Sequence, residues 1–347
     1  MVSLLKVSPE ILYLILGQDG QGILHLSDYG RLCLVNYELR AAVLPILWKS
    51  LNLVKASQVV SIYRAILANP ELAKLIQTFY FSPRNTKPMV WQHPRLINGV
   101  RVNLFHILKS LVPMLENLRH LRLTGPYGRD KEESDVSSRS FIPLEGNTKL
   151  ETVAIHNFRY SPSSVDSIIA LPHLKHIELG PGFEQLSCIN EIPKAASKAT
   201  SLALRQLTSL RRCSFWYPRV YKYQTSEAKK EYEDLVFNLI STTISCFANL
   251  QRLNVVILAA AFNDGRLQDL LSVIEERSGL TYLKVEFSDY PARNTESIDF
   301  HTWRNLRELD VDANIFWPTS SSWPLRNELY SNLPQALEIL RAVIKDR

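Results

Sequence analysis

A short apolar pattern repeats along most of the chain and constrains its fold more than any other feature. In each copy an apolar residue is followed by a second three positions later and a third five positions later, as in Leu118, Leu121 and Leu123. Further full copies begin at Leu150, Leu174, Leu210, Leu250, Leu280 and Leu306, and a weaker copy begins at Ile76. Because alternate residues of a strand point to the same side, each copy predicts a short strand with one apolar side.

The repetition of these strands indicates a solenoid. One such strand cannot bury its apolar side alone, whereas a stack of parallel strands can. Amphipathic segments such as 227–247 and 266–276 separate several copies and predict helices between the strands. We therefore predict an α/β fold with a leucine-rich-repeat-like solenoid over 69–347, with short parallel strands on its concave face and helices on its convex face.

A doubly wound α/β domain is the alternative fold, since it also alternates helices with parallel strands. The uniform pattern and the lack of a glycine-rich turn after the first strand favour the solenoid. Residues 1–68 follow a different rule, because their apolar residues recur at helical spacing only. They predict a small helical unit over 1–53 and a linker helix over 54–68.

The composition favours a reducing compartment. The four cysteines are scattered without a CxxC pair, and the chain has no Asn-x-Ser/Thr glycosylation site. The first residues do not have the charged and apolar regions of a signal peptide, and no apolar run is long enough to cross a membrane. We expect a cytoplasmic or nuclear protein with no membrane partner.

Motifs that would indicate catalysis are missing from the sequence. It has no G-x-x-x-x-G-K-[ST], H-E-x-x-H or G-x-S-x-G, and its 12 glycines leave few phosphate-binding loops. His120, His156 and His176 fall on successive predicted strands, but His156 is offset by four residues, or about 13 Å, which is too far for a shared zinc ion. We expect no enzyme activity, no cofactor and no metal.

The outward side of the predicted strands is the candidate partner-binding surface. Solenoids bind their partners on the surface that the strands line, and arginine, tryptophan and tyrosine dominate interface energetics. The predicted substrate-binding residues are His120, Arg122, His156, Arg212, Trp216, Arg252, Tyr282 and Lys284. The alternative for each of them is an ordinary solvated position.

Nucleic acid is a second possible partner of the basic and aromatic segment 211–230, because bases stack on aromatic side chains along basic grooves. Phe215 is, however, an inward position of its repeat, and Glu227 and Glu231 follow closely. The net charge of +6 is small for a chain of 347 residues. We therefore expect a protein partner rather than a nucleic acid.

Two N-terminal segments, VSPEILYLIL at 7–16 and LCLVNYELRAAVLPILWKSLNL at 32–53, have a distinctive order and spacing. They resemble the F-box, the three-helix motif by which substrate receptors join Skp–cullin–F-box ubiquitin ligases. The positions that match the motif are Glu10, Ile11, Leu12, Ile15, Leu16, Leu32, Leu34, Val35, Leu39, Arg40, Pro45, Leu47 and Trp48. With its irregular repeats, the C-terminal half also resembles fungal F-box leucine-rich-repeat proteins, so the resemblance covers most of the chain.

The resemblance implies a substrate-recognition subunit of such a ligase. Its F-box would dock on the Skp adaptor and, through it, on the cullin, while the solenoid would bind a protein substrate. The residues that the resemblance implies for adaptor binding are Pro9, Ile11, Leu12, Ile15, Leu34, Val35, Leu47 and Trp48. The alternative is a repeat scaffold with a degenerate F-box, whose helical unit only covers the first turn of the solenoid.

Overall fold

The structure is a computed structural model, and it describes most of the chain from residue 37 onward. The described residues are 34, 37–83, 95–97, 100–125, 142–156, 158, 167–180, 199–207, parts of 234–248, 249–257, 264–276, 279–287, 299–312 and 332–343. The fold is mixed α/β, and its main feature is one parallel sheet of ten strands.

The ten strands of this main sheet lie side by side in chain order. They are β1 (Ser50–Leu53), β2 (Thr78–Phe81), β5 (His120–Thr124), β6 (Thr152–His156), β7 (His176–Leu179), β8 (Ser201–Leu207), β9 (Arg252–Ile257), β10 (Tyr282–Phe287), β11 (Glu308–Asp312) and β12 (Ile339–Val343). Two further strands, β3 (Arg95–Ile97) and β4 (Val100–Val102), form a separate antiparallel pair. Parallel strands in strict chain order are consistent with a solenoid, as the repeated pattern predicts.

One backbone hydrogen-bond pattern recurs at the start of the strands. The carbonyl oxygen of Gln77 accepts hydrogen bonds from the N–H groups of Arg119 and His120, and the carbonyl of Arg119 does the same for the first residues of the next strand. The acceptors, each immediately before its strand, are Gln77, Arg119, Glu151, Lys175, Thr200, Gln251, Thr281 and Arg307. Each repeat therefore joins the next in the same register.

The apolar pattern forms the core on one side of the sheet. The two inward residues of every main-sheet strand from β2 to β11 are at most 2% exposed. They are Phe79, Phe81, Leu121, Leu123, Val153, Ile155, Ile177, Leu179, Leu202, Leu204, Leu253, Val255, Leu283, Val285, Leu309 and Val311. Burial of such a side chain is worth about 1.5–3 kcal/mol, so this continuous row is the main source of stability.

Helices accompany the strands where the connections are long. They are α1 (Tyr37–Lys49), α2 (Ala56–Ala68), α3 (Glu71–Leu75), α4 (Leu104–Leu111) and α5 (Asp264–Glu275). Helix α4 begins at an N-cap, since the side chain of Asn103 accepts a hydrogen bond from the N–H of His106. The predicted amphipathic segment 266–276 corresponds to α5, whose Leu267, Leu270 and Leu271 are buried.

The strand between β7 and β9 is not the one that the sequence pattern predicts. We predicted it around Cys213 and Phe215, but β8 pairs directly with both β7 and β9. The core positions of this repeat are Ala199, Leu202 and Leu204. The pattern misses them because alanine stands where the other copies have leucine or isoleucine, and the better match at Leu210 lies outside the described residues.

The sheet also begins earlier than the predicted solenoid. Strand β1 pairs with β2 in the common register, which places Trp48, Leu51 and Leu53 at the three apolar positions of a first repeat. Helix α2, predicted as a linker, contributes Val59, Val60 and Ile66 to the same core. Strand β1 and helix α2 therefore contribute to the same sheet and core as the later repeats.

Candidate functional site

The side of the sheet opposite the core is lined by two rows of side chains, which we call the polar face together with the next outward residues Thr124, His156, Val256, Glu286, Asp312 and Val343. The first row is Ser50, Thr78, His120, Thr152, His176, Ser201, Arg252, Tyr282, Glu308 and Ile339. The second row is Asn52, Tyr80, Arg122, Ala154, Glu178, Ala203, Asn254, Lys284, Asp310 and Arg341. The in-register pairing places neighbours in a row about 4.8 Å apart, so each side chain can contact the next.

A carboxylate and two basic side chains meet over β5, β6 and β7. The Glu178 carboxylate lies 3.2 Å from Nε2 of His156 and 3.9 Å from the guanidinium of Arg122. Glu178 is only 9% exposed, so basic partners are needed to offset the hydration that its carboxylate loses on burial. Gly180 makes room for the His156 ring, because a Cβ at this position would stand 2.8 Å from two of its carbon atoms.

The other two histidines of this face each have a hydroxyl partner. Nδ1 of His120 lies 3.2 Å from Oγ1 of Thr152, and Nδ1 of His176 lies 2.8 Å from Oγ of Ser201. Because each ring contacts a different neighbour, the three histidines do not converge. Within the described residues no cluster of three or more His, Cys, Asp or Glu side chains could hold a metal ion.

A second network crosses β9 to β12. The Arg252 guanidinium lies over the Tyr282 ring, 4.1 Å from its centroid, and 3.7 Å from the Glu308 carboxylate. Arg341 approaches the same carboxylate from the other side at 3.7 Å. Such a cation–π contact stabilises the arginine by about 0.5–1 kcal/mol at an exposed site and holds it in one orientation.

The acidic part of the face surrounds one lysine. The ammonium of Lys284 lies 3.4 Å from the Glu286 carboxylate and 3.6 Å from that of Asp310. The basic residues Arg122 and His156 lie over β5 and β6, whereas Glu286, Glu308 and Asp310 lie over β10 and β11. Carboxylates are therefore concentrated over β10 and β11, where they contact Arg252, Lys284 and Arg341.

A slot lies over β8 at the middle of this face. Its floor is formed by the small residues Ser201 and Ala203, and its volume is about 150 Å³. One wall is His176 and Glu178 on β7, and the other consists of Arg252 and Asn254 on β9 with Tyr282 on β10. Oδ1 of Asn254 is buried and has no hydrogen-bond partner among the described residues.

Six of the eight predicted substrate-binding residues lie on the polar face. They are His120, Arg122, His156, Arg252, Tyr282 and Lys284. Arg212 and Trp216 lie outside the described residues, and the repeat that assigned them to the face is replaced by β8.

Sequence reasoning did not select Glu178, Ser201, Ala203 and Asn254, which complete the slot. Ser201 and Ala203 required knowledge of β8. Glu178 was the only carboxylate among the outward residues of β5, β6 and β7, and that was the available signal.

The residues predicted to bind the adaptor are described only in part. Pro9, Ile11, Leu12, Ile15 and Val35 lie outside the described residues. Leu34 is 86% exposed. Leu47 is half-buried, and the half-buried Trp48 packs against the core of the repeats. The F-box assignment stays a prediction.

Comparison with known proteins identifies no family. No protein-family profile and no curated protein matches the chain. Among solved structures, an internalin of Listeria monocytogenes matches 73% of this chain and 87% of its own at 13% identity, with a TM-score of 0.20. Likeness at this level carries no functional argument, so the fold assignment relies on strand order and register. None of the described helices has the length and apolar character to span a membrane.

Proposed function

We propose that this protein is a non-catalytic substrate receptor. In this proposal the polar face binds a protein substrate, and residues 1–53 dock on the Skp adaptor of a Skp–cullin–F-box ubiquitin ligase in the cytoplasm or nucleus. The observation that carries the proposal is the contrast across the sheet. One side is a uniform apolar core, while the other holds charged and aromatic side chains that differ at every strand.

The polar face has the properties of a protein-binding surface. Its charged side chains are fixed by neighbours in the next strand, as Arg252 is by Tyr282 and Glu308. Fixed side chains lose less conformational entropy on binding, which favours affinity. The arrangement of positive and negative side chains along the sheet would orient a partner of complementary charge.

Support for the adaptor-binding half comes from the start of α1. Leu34 and Tyr37 are 86% and 84% exposed, far more than other large apolar side chains that the structure describes. If five or six apolar side chains of an F-box were buried in the adaptor, at about 1.5–3 kcal/mol each, the association would be stable even after ordering costs.

The test is co-purification of the full chain with the Skp adaptor. We expect the wild-type protein to retain the adaptor and Leu34→Asp to weaken retention by about tenfold or more, because the carboxylate would be desolvated in the interface. Leu67→Asp is the matched control, since Leu67 is an exposed leucine on α2, outside 1–53. Loss of adaptor binding in the control, or no binding by the wild type, would refute the receptor proposal.

A repeat scaffold that binds no adaptor is the second candidate. It is favoured by Trp48 and Leu51, which pack on the repeat core although they belong to the segment that resembles the F-box. For this candidate Leu34→Asp leaves all interactions of the protein unchanged. The same co-purification therefore separates the two functions.

A further inference from the structure

The slot over β8 is a concave part of the polar face. Its floor is Ser201 and Ala203, and its volume of about 150 Å³ can accommodate one long side chain. The walls on β7 and β9 are two strand spacings apart, or about 9.6 Å. A group that enters the slot would therefore reach both walls.

Glu178 lies between two small residues of the second row, Ala154 on β6 and Ala203 on β8. Arg122 reaches across Ala154 from β5, and its guanidinium lies 3.9 Å from the Glu178 carboxylate. Ala203 lies at the equivalent position on the other side of Glu178. The slot lies there, because Asn254 on β9 is too short to reach across Ala203 as Arg122 reaches across Ala154.

The far wall of the slot includes Asn254, whose side-chain amide carries a second hydrogen-bond acceptor. Oδ1 of Asn254 is buried and has no partner among the described residues, and a buried acceptor without a partner is unfavourable. A donor in the slot would satisfy this oxygen once the amide rotates toward it. Glu178 on β7 and Asn254 on β9 therefore place acceptor-bearing side chains on both sides of the second-row end of the slot.

The positive charge of Arg252 is directed away from this end. Its guanidinium extends over the Tyr282 ring toward Glu308, two strands further along the sheet. Its contacts with the ring and the carboxylate hold it there, and it lies at the first-row end of the wall. The electrostatic preference at the second row is therefore set by Glu178.

We propose that this slot binds an arginine side chain of the protein partner. The guanidinium donates to the Glu178 carboxylate and to Oδ1 of Asn254, and the methylene groups lie over Ala203. Arginine fits better than lysine, because its planar fork of donors can reach acceptors on two sides, whereas an ammonium is a compact point charge. The inference rests on the proposal that the polar face is the partner-binding surface, and it names the chemistry recognised there.

The test uses the purified full chain and N-acetyl-L-arginine amide as the probe, titrated by ligand-observed NMR. We expect saturable binding at one site, weaker binding of the lysine analogue, and no binding of the uncharged citrulline analogue. Glu178→Gln and Asn254→Leu should each weaken arginine binding about tenfold, as loss of a charge-assisted or buried hydrogen bond implies.

Three further variants separate direct contact from a structural effect. Ala203→Leu fills the slot and should abolish binding. Arg122→Gln removes the competing cation on Glu178 and should tighten binding, which a loss of structure would not do. Glu71→Gln removes an exposed carboxylate on α3, outside the polar face, and should leave binding unchanged. Thermal unfolding midpoints identify any variant that fails to fold.

Two results would overturn the inference. One is the absence of saturable arginine binding to the wild-type protein. The other is saturable binding of the N-acetyl-glutamate analogue that Arg252→Gln abolishes, which would make the slot an anion site. Neither result affects co-purification with the adaptor, so failure of this inference and failure of the proposed ligase role are distinguishable.

Discussion

The two sides of the main sheet are built from alternate residues of the same strands, yet they follow different rules. On the core side, the inward positions from β2 to β11 are leucine, isoleucine, valine or phenylalanine throughout. On the polar face, neighbouring positions of a row differ in size and charge, as Ala154, Glu178 and Ala203 do. Repetition on the core side specifies the fold, whereas variation on the polar face leaves each strand free to contribute to recognition.

The comparison predicts unequal costs for neighbouring substitutions on one strand. Phe79 points into the core and is fully buried, whereas Tyr80 lies on the polar face and is half-buried. We expect Phe79→Ala to lower the free energy of unfolding by about 3–5 kcal/mol through loss of burial and creation of a cavity. Tyr80→Ala should cost about 1 kcal/mol. Urea denaturation of both variants measures the difference, and equal costs would contradict the proposed division of the two sides.

A substitution at a buried position on the side of the sheet opposite the core should have an intermediate effect. Gly180 is buried beside the His156 ring, which a Cβ would approach within 2.8 Å. We expect Gly180→Ala to cost about 1–3 kcal/mol, because the ring or the strand must shift. The double variant with His156→Ala should recover most of this cost. If the second substitution recovers nothing, the clash with the ring is not the cause.

The smallest predicted effect concerns the starts of the strands and is visible only in acid. The Glu151 carboxylate contacts Lys175 at 2.6 Å and Arg119 at 3.4 Å. The hydrogen bond from Lys175 is the main cause that lowers the pKa of Glu151. Because the pKa is lower in the folded state, this pair stabilises the protein above the usual glutamate range, about pH 4.3, and the contribution is lost as the pH falls through the folded value.

Glu151→Gln should therefore slightly lower the thermal unfolding midpoint near neutral pH. As the pH drops below about 4.3, the midpoint of the variant should fall less than that of the wild type. The effect should diminish with added salt, since the pair is exposed to solvent. Glu338→Gln is the matched control, because Glu338 also immediately precedes a strand but contacts Arg307 at 3.4 Å with both side chains more than 60% exposed. An identical acid profile for both variants would contradict this assignment.

The sequence was sufficient to predict most of the sheet because its signal is local. Leu118, Leu121 and Leu123 identify one strand by spacing alone, and β5 to β7 and β9 to β11 lie where this spacing places them. Strand β8 was missed because Ala199 is a weak apolar signal, while the segment from Leu210 has a larger apolar residue at the first position of the pattern. Which of two candidate segments enters the sheet depends on pairing with β7 and β9, and a local pattern does not contain that information.

The predicted site shows the same division. Arg122, Arg252 and Tyr282 were predicted on the polar face because strand alternation determines the side to which a residue points. The slot was not predicted, since it requires knowing that Ala203 lies between Glu178 and Asn254, residues that are far apart in the chain. The sequence by itself determined a repeated strand with an apolar and a polar side. Only the tertiary structure decided which side chains became neighbours, because register is set by hydrogen bonds between distant segments.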